Sequence, residues 1–248
     1  TSAALHFGVV ARVKQERTWT QVYLPSPTPL THGQHHPLSQ WLRGLGAWDL
    51  RSWEKRIPAQ LFSLPPPQIA LFLRHLWATD GSVASAVYYA TSSNQLAVGV
   101  AELLLRLDIR TRLRVVRASR GRTQYQVEVS GVDNERRFAE VVGVHGTRDR
   151  QLIERMSAKS TTKGNPNVDS VPSPVWDHVR HKALPAAGMT ARQLASALEM
   201  SYCGSALYKS GVSRARLKKV ATATGDEWLT DLADSDVLWD RLVEIEPL

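Results

Sequence analysis

The stretch that most restricts this chain is Leu71-Phe-Leu-Arg-His-Leu-Trp-Ala-Thr-Asp-Gly-Ser82, an apolar segment that runs into a lone carboxylate followed at once by glycine. Leu73, Leu76 and Trp77 recur at helical spacing, and Pro65-Pro66-Pro67 stands just before them as a start signal. Gly81 supplies a permissive backbone on which the helix can end. Asp80 is therefore presented at a helix tip. The residues alone leave two readings open: a buried helix with a solvated C-terminal acid, or a carboxylate set out for chemistry.

Composition narrows the choice of partner. A chain of 248 residues is long enough for one large or two modest domains with a real core. Lys and Arg number 31 against 23 Asp and Glu, a net charge of +8, which favours a polyanion such as nucleic acid. No run of eighteen apolar residues and no charged-then-apolar leader occurs, so membrane insertion and secretion are not expected and a cytoplasmic setting is. Cys203 is the single cysteine, which excludes a disulfide framework or a thiolate zinc site within one chain. His35, His36, His75 and His145 do not share ligand spacing, and read as surface or satisfied histidines. No glycine cluster would cradle a nucleotide, so nucleoside triphosphate hydrolysis has no support.

Taken in order, residues 1–10 read as the end of a helix, and Val10 to Lys14 and Thr18 to Leu24 as two short strands whose polar face offers Arg12, Lys14 and Gln21, with Arg17 in the turn between. A Pro- and His-rich loop leads to a short helix from Pro37 to Gly46, and Arg51 to Pro58 packs charges around Trp53. Beyond the apolar helix, the sequence predicts a strand over 82–92, a helix over 94–107 and a basic hairpin over 111–130. Seven arginines and one acid lie between Arg106 and Arg122. On a hairpin, alternate residues share a face, so Arg112, Arg114, Arg117, Arg120 and Arg122, with Gln124 and Gln126, can track phosphates and read bases. The bland alternative is a solvated, solubilising face.

Arg17-Thr-Trp-Thr-Gln-Val22 echoes Arg122-Thr-Gln-Tyr-Gln-Val127, each in a hairpin and each followed by a loop and a helix ending in glycine, at Gly46 and Gly143. Two copies of one unit are expected. The same shift applied to Asp80 falls before residue 1, so the first copy's apolar helix is expected upstream. Residues 150–167 are polar and end in a boundary near Lys163-Gly-Asn-Pro166. From Pro174 to Gly225 the chain reads as helical, with Thr190 and Ser213 as caps. Thr190 to Lys209 has the look of a helix-turn-helix, which would put Tyr202, Ser205, Tyr208 and Lys209 near DNA; a pair that serves only packing is the other reading. Residues 236–248 alternate as a final strand.

Leu73 to Gly81 resembles the nine-residue motif of the LAGLIDADG homing endonucleases, with Leu73, Leu76, Asp80 and Gly81 in matching positions and departures at His75 and Ala78. Lys55-Arg-Ile-Pro58 is similar to the K-x-I-P block of the enzymes of this family that inteins carry. The run as a whole, including His36 to Leu42 and Val142 to Gly146, is most similar to inteins of bacterial replicative DNA helicases, and 237–246 resembles the strand by which such a chain re-enters its splicing domain. Neither a splicing nucleophile nor a terminal His-Asn pair is present, so splicing would need the splicing domain of the same precursor.

The resemblance implies an α+β fold: pseudo-twofold αββαββα units, antiparallel saddle sheets and a C-terminal helical subdomain. On this reading 1–60 is a first unit without its motif helix, 61–165 a second unit, 166–235 the helical DNA-binding part and 236–248 the start of a splicing-domain strand. Two motif helices pack side by side, and Asp80 of one, with Gly81, holds Mg²⁺ or Mn²⁺ over a scissile phosphate. Lys55 stabilises charge or the attacking water, and Arg148 or Arg150 is the second-copy candidate for its place. The implied activity is metal-dependent double-strand cleavage of DNA by a monomer with internal pseudo-symmetry. A DNA-binding module with an incomplete or decayed nuclease, and a helix-turn-helix regulator, are the alternatives.

Overall fold

A computed structural model describes residues 2–117, 122–162, 164, 169–237 and 239, and the chain divides into two compact units, 1–162 and 163–248. The first is built on residues 66–142, which run α3 (Pro66–Asp80), β3 (Gly81–Ser82), β4 (Tyr88–Thr91), α4 (Asn94–Leu105), β5 (Thr111–Val116), β6 (Gln124–Val129) and α5 (Val132–Arg137), the last continued by a π-helical turn over Phe138–Val142. The element order is αββαββα. All neighbouring strands of the sheet are antiparallel, in the order β3-β4-β6-β5, with Gly81 opposite Tyr89, Tyr89 opposite Val127 and Leu113 opposite Val127.

Helix α3 starts where Pro66, at its first position, has no amide whose hydrogen bond could be lost. It buries Ile69, Ala70, Leu73 and Trp77 against the sheet and the π-helical turn over Phe138–Val142. The Trp77 ring lies 5.6 Å from that of Tyr89 and 4.9 Å from that of Phe138. Its Nε1–H is buried with no acceptor among the described residues, a cost of about 1–3 kcal/mol that burial of so large a ring offsets. Where one strand was predicted over 82–92 there are two, because Val83 and Val87 turn into the core and the chain bends between them.

Ahead of this block lie α1 (Ser2–Leu5), the hairpin β1 (Arg12–Gln15) and β2 (Thr20–Tyr23), α2 (Pro37–Gly44) and a 3-10 turn, Ala59–Ser63. The hairpin is a sheet of its own, separate from the four-stranded one, and Val13 and Val22 on one face remain 59% and 55% exposed. Among the described residues up to 60, only Ala4, Val9, Ser39 and Ile57 are buried, and Ile57 belongs to the main core.

Helix α6 (Thr147–Ala158) occupies what reads in sequence as the beginning of a polar boundary. It buries one apolar residue, Leu152, and is held instead by charge. The nearly buried Glu135 of α5 accepts from Arg155 and Lys159, both at 2.8 Å, and Arg155 also donates to the carbonyls of Ala84 and Ser85.

The second unit has its own core of Val175, Trp176, Val179, Leu184, Leu194, Leu217, Val220 and Leu229. It comprises β7 (Ser170–Val171), α7 (Val175–His178, extended by a π turn to Ala183), α8 (Leu184–Ala186), α9 (Ala191–Ala197), β8 (Val212–Ser213), α10 (Arg214–Thr224) and α11 (Glu227–Asp234). Thr190 caps α9, as the sequence predicts, and does so in a reciprocal box with Gln193, whereas Ser213 stands at the start of α10 without a side-chain capping bond. The helix predicted over 202–209 is instead a single 3-10 turn, Gly204–Tyr208. Glu199 and Gly204 take left-handed backbone on either side of Tyr202, which interrupts any regular α-helix there. The predicted helix-turn-helix therefore lacks its second α-helix. The strand predicted over 236–248 lies largely outside the described residues.

Candidate active site and nucleic-acid face

Asp80 is the last residue of α3 and is exposed. What holds it there is the next residue. Gly81 has ordinary extended backbone, so it is needed for room and not for an unusual φ: a Cβ there would stand 2.3 Å from Trp77 Cδ1 and 2.7 Å from the Trp77 carbonyl oxygen. The chain can turn from helix to strand this close to the indole only without a side chain. Opposite Gly81, Tyr89 is buried, and its hydroxyl is pushed up to about 12 by that burial and then by the Asp80 carboxylate.

Arg148, at the start of α6, donates to the carbonyls of Trp77 (2.8 Å), Ala78 and Thr79 (3.3 Å). The Trp77 carbonyl also accepts from the Gly81 amide, whereas those of Ala78 and Thr79 belong to the last turn that a helix leaves without partners, and a guanidinium there also opposes the negative end of the helix dipole. Arg148 therefore fixes the tip that displays Asp80, whereas Arg150 is simply exposed on α6. The same connection grips α3 again, since Arg74 donates to the Val142 carbonyl and the His75 ring lies tilted against that of His145 with centroids 4.7 Å apart. The two histidines look unrelated in sequence; the fold makes them neighbours. No group of three His, Cys, Asp or Glu gathers among the described residues.

Lys55 is exposed, yet its backbone is fastened at several points. Ser93, buried at the N-cap of α4, accepts from the Leu96 amide and donates to the Lys55 carbonyl at 2.6 Å. Ile57 enters the core against Gly99, where a Cβ would come within 2.7 Å of Ile57 Cγ1. Pro58 then caps the 3-10 turn. The Arg122 guanidinium lies 3.3 Å from the centre of the Trp53 ring, joining the basic hairpin to the same loop. No hydrogen bond or ion pair joins Lys55 to Asp80 among the described residues.

On the four-stranded sheet, the registers put Arg112, Arg114, Gln124 and Gln126 on the face away from Val127 and the helices, together with Tyr88 and Glu128. Arg114 is paired with Glu128 at 2.8 Å. Arg117 follows β5 and is exposed; Arg120 lies outside the described residues. On the other hairpin Arg12, Lys14, Gln21 and Tyr23 share one face, with Lys14 held 2.6 Å from Glu16 and Arg17 exposed in the turn. Residues 1–162 hold 21 of the 31 Lys and Arg and 12 of the 23 Asp and Glu, a net charge of +9, which leaves −1 for the second unit. In that unit Tyr202, Ser205, Tyr208 and Lys209 sit on and beside the 3-10 turn. Two arginines that sequence reasoning passed over lie against them: Arg192 by Tyr202 and Arg180 by Tyr208.

Residues 67–143, which are the αββαββα block, match the sequence profile of the LAGLIDADG-like domain, so the chain contains a domain of that class. Over nearly its full length the chain is similar to part of a particular protein. It is 44% identical over 249 residues to the replicative DNA helicase DnaB of Rhodothermus marinus, covering 96% of this chain and 26% of that protein, and 40% identical over 248 residues to that of a Nostoc species, covering 96% and 28%. It is also 26% identical over 246 residues to the protein RecA of Mycobacterium tuberculosis, covering 87% of this chain and 31% of that protein. The chain thus spans about a quarter of the length of the helicase relatives. No helix among the described residues is long and apolar enough to cross a membrane.

Proposed function

We propose that this chain is the homing-endonuclease part of an intein, which cuts both strands of DNA at the helicase gene that lacks the insert. The observation that carries this reading is Asp80: an exposed carboxylate at the tip of the buried LAGLIDADG-like helix, pinned by Arg148, at the head of the sheet whose open face bears Arg112, Arg114, Gln124 and Gln126. Supporting the intein context, one stretch is similar to parts of proteins that carry different names, as expected of a portable insert.

Hard carboxylate and carbonyl oxygens suit Mg²⁺ or Mn²⁺, so Asp80, with the Gly81 backbone, fits one end of such a site. A divalent ion bound there would lower the pKa of a water and neutralise charge on the scissile phosphate. One carboxylate is a small share of the ligands such an ion needs; a twin acid on a partner helix, phosphate oxygens and water would supply the rest. Helix α3 leaves Leu71 and Ala78 exposed on the side away from its core face, with His75 between them partly covered by His145, and this side is where the partner would pack. Lys55 is offered as the cation that steadies developing charge, its loop held rigid by Ser93 and Ile57. The arginines and glutamines of the two hairpins supply phosphate contacts and base reading in the major groove. The protein would act as a monomer, in the cytoplasm, beside the splicing domain of its precursor.

The lone carboxylate also favours a second reading, a DNA-binding module whose nuclease site is incomplete. One assay separates the two. A plasmid carrying the uninterrupted helicase gene is incubated with the protein and Mg²⁺; linear product lost on adding EDTA supports the enzyme, and a shifted but uncut plasmid supports the module.

A further inference from the structure

The second unit is nearly neutral, but its charge is unevenly placed. Eight of its eleven acids lie from Asp226 onward, whereas between Arg180 and Lys209 there are four cations and one acid, Glu199. Two of those cations are held in a particular way. The Arg180 guanidinium carbon stands 5.1 Å from the centre of the Tyr208 ring, and that of Arg192 stands 5.4 Å from Tyr202. Both arginines are exposed, and neither is ion-paired among the described residues.

The Tyr208 platform is fixed from below. Tyr208 meets the buried Trp176 edge-on at 5.6 Å, and Trp176 Nε1 donates to the Ser210 carbonyl at 2.9 Å, so the 3-10 turn is tied to the core at both ends of this contact. The Tyr208 hydroxyl is pushed up by burial first and then by Tyr202, with Arg180 opposing and Cys203 adding, which places all four groups in one neighbourhood. Lys209 follows directly and is exposed.

A guanidinium lying on a ring spends its flat face on the ring and keeps its N–H edge free, with less rotamer freedom left to lose when an anion arrives. Two such edges and an ammonium, with no carboxylate ion-paired to them among the described residues, call for several phosphates on one ligand. Since an arginine already covers one face of each tyrosine, stacking of unpaired bases is the poorer fit, and backbone phosphates the better one. We propose that Arg180, Arg192 and Lys209, arranged around the Gly204–Tyr208 turn, form a second duplex-DNA site that grips phosphates without reading sequence. This rests on the reading that the first unit binds DNA, and it replaces a groove-inserted helix with a backbone clamp.

The test is a salt titration of the full chain against a random duplex that holds no target, so that cutting plays no part. Arg180→Gln with Arg192→Gln should lower the slope of log affinity on log salt by about 2, at an unchanged melting temperature. Arg180→Lys with Arg192→Lys should keep the slope and still bind several-fold more weakly, because charge survives and the platform contact does not. An unchanged slope and affinity in the glutamine pair, while Arg112→Gln with Arg114→Gln weakens binding, overturns this proposal and leaves the first unit's role intact. Binding of a multiply phosphorylated peptide that needs Arg180 and Arg192, with duplex affinity unchanged, also overturns it.

Discussion

Two residues set the geometry at the tip of α3, and neither is the acid itself. Gly81→Ala forces a methyl into the Trp77 ring and carbonyl, overlaps that backbone cannot yield cheaply, so it should cost about 1–3 kcal/mol or more by chemical denaturation. A neutral result there would mean that Trp77 does not lie under the turn. Arg148→Met keeps much of the side chain's bulk and removes its donors, leaving the last carbonyls of α3 to water. It should lower stability by about 1–2 kcal/mol and loosen residues 77–81 in hydrogen exchange, with the rest of the first unit unaffected. Asp80 was legible from the sequence because its position depends on residues beside it. The role of Arg148 was not, since its three acceptors lie some seventy residues earlier and belong to the backbone, which leaves no mark in side-chain pattern.

The same contrast holds among elements. Helix α3 was legible because apolar period, proline start and glycine end agree within one segment. Helix α6 was not, because it depends on a carboxylate in another helix: with a single buried apolar residue the segment reads as polar throughout, and Glu135 takes the place of a core face. Glu135→Leu should therefore unseat α6, at about 3 kcal/mol, by leaving Arg155 and Lys159 facing an apolar side chain. The 3-10 turn at Gly204 was misjudged as a helix because helical spacing over so few residues cannot reveal a left-handed φ. The Lys55 loop was read from its Ile-Pro ending; the structure supplies the reason, since Ile57 fills the space over Gly99 and Ser93 holds the loop's backbone. Ser93→Ala removes both that bond and the cap of α4. It should cost about 1 kcal/mol and raise hydrogen exchange across 51–57, and a change confined to α4 would disconnect the loop from the cap.

Across the whole molecule, charge and stability divide along the same boundary at Thr162. The first unit carries the whole net positive charge, +9, while the ten cations of the second are balanced by eleven acids, so salt should weaken DNA binding mainly through the first. Acid should act on both. Burial alone would raise the Glu135 carboxyl, but hydrogen bonds and charge from Arg155 and Lys159 outweigh it and hold the group below its ordinary value. Asp226, which caps α11 and accepts from His178, is likewise lowered on balance, through the Leu229 amide and that histidine, against its burial. A lowered folded pKa contributes stability that is present above the ordinary carboxyl range and is lost as pH falls through it. Melting temperature should accordingly drop below about pH 4.5, and Glu135→Gln should flatten that drop for the first unit. The central claim is that Asp80 cuts and the arginine face holds. It is tested most directly by comparing the protein with its Asp80→Asn variant on the uninterrupted helicase gene in Mg²⁺, scoring bound and cut DNA together. The account predicts equal binding by both and cutting by the unaltered protein alone; cutting that survives in Asp80→Asn would contradict it.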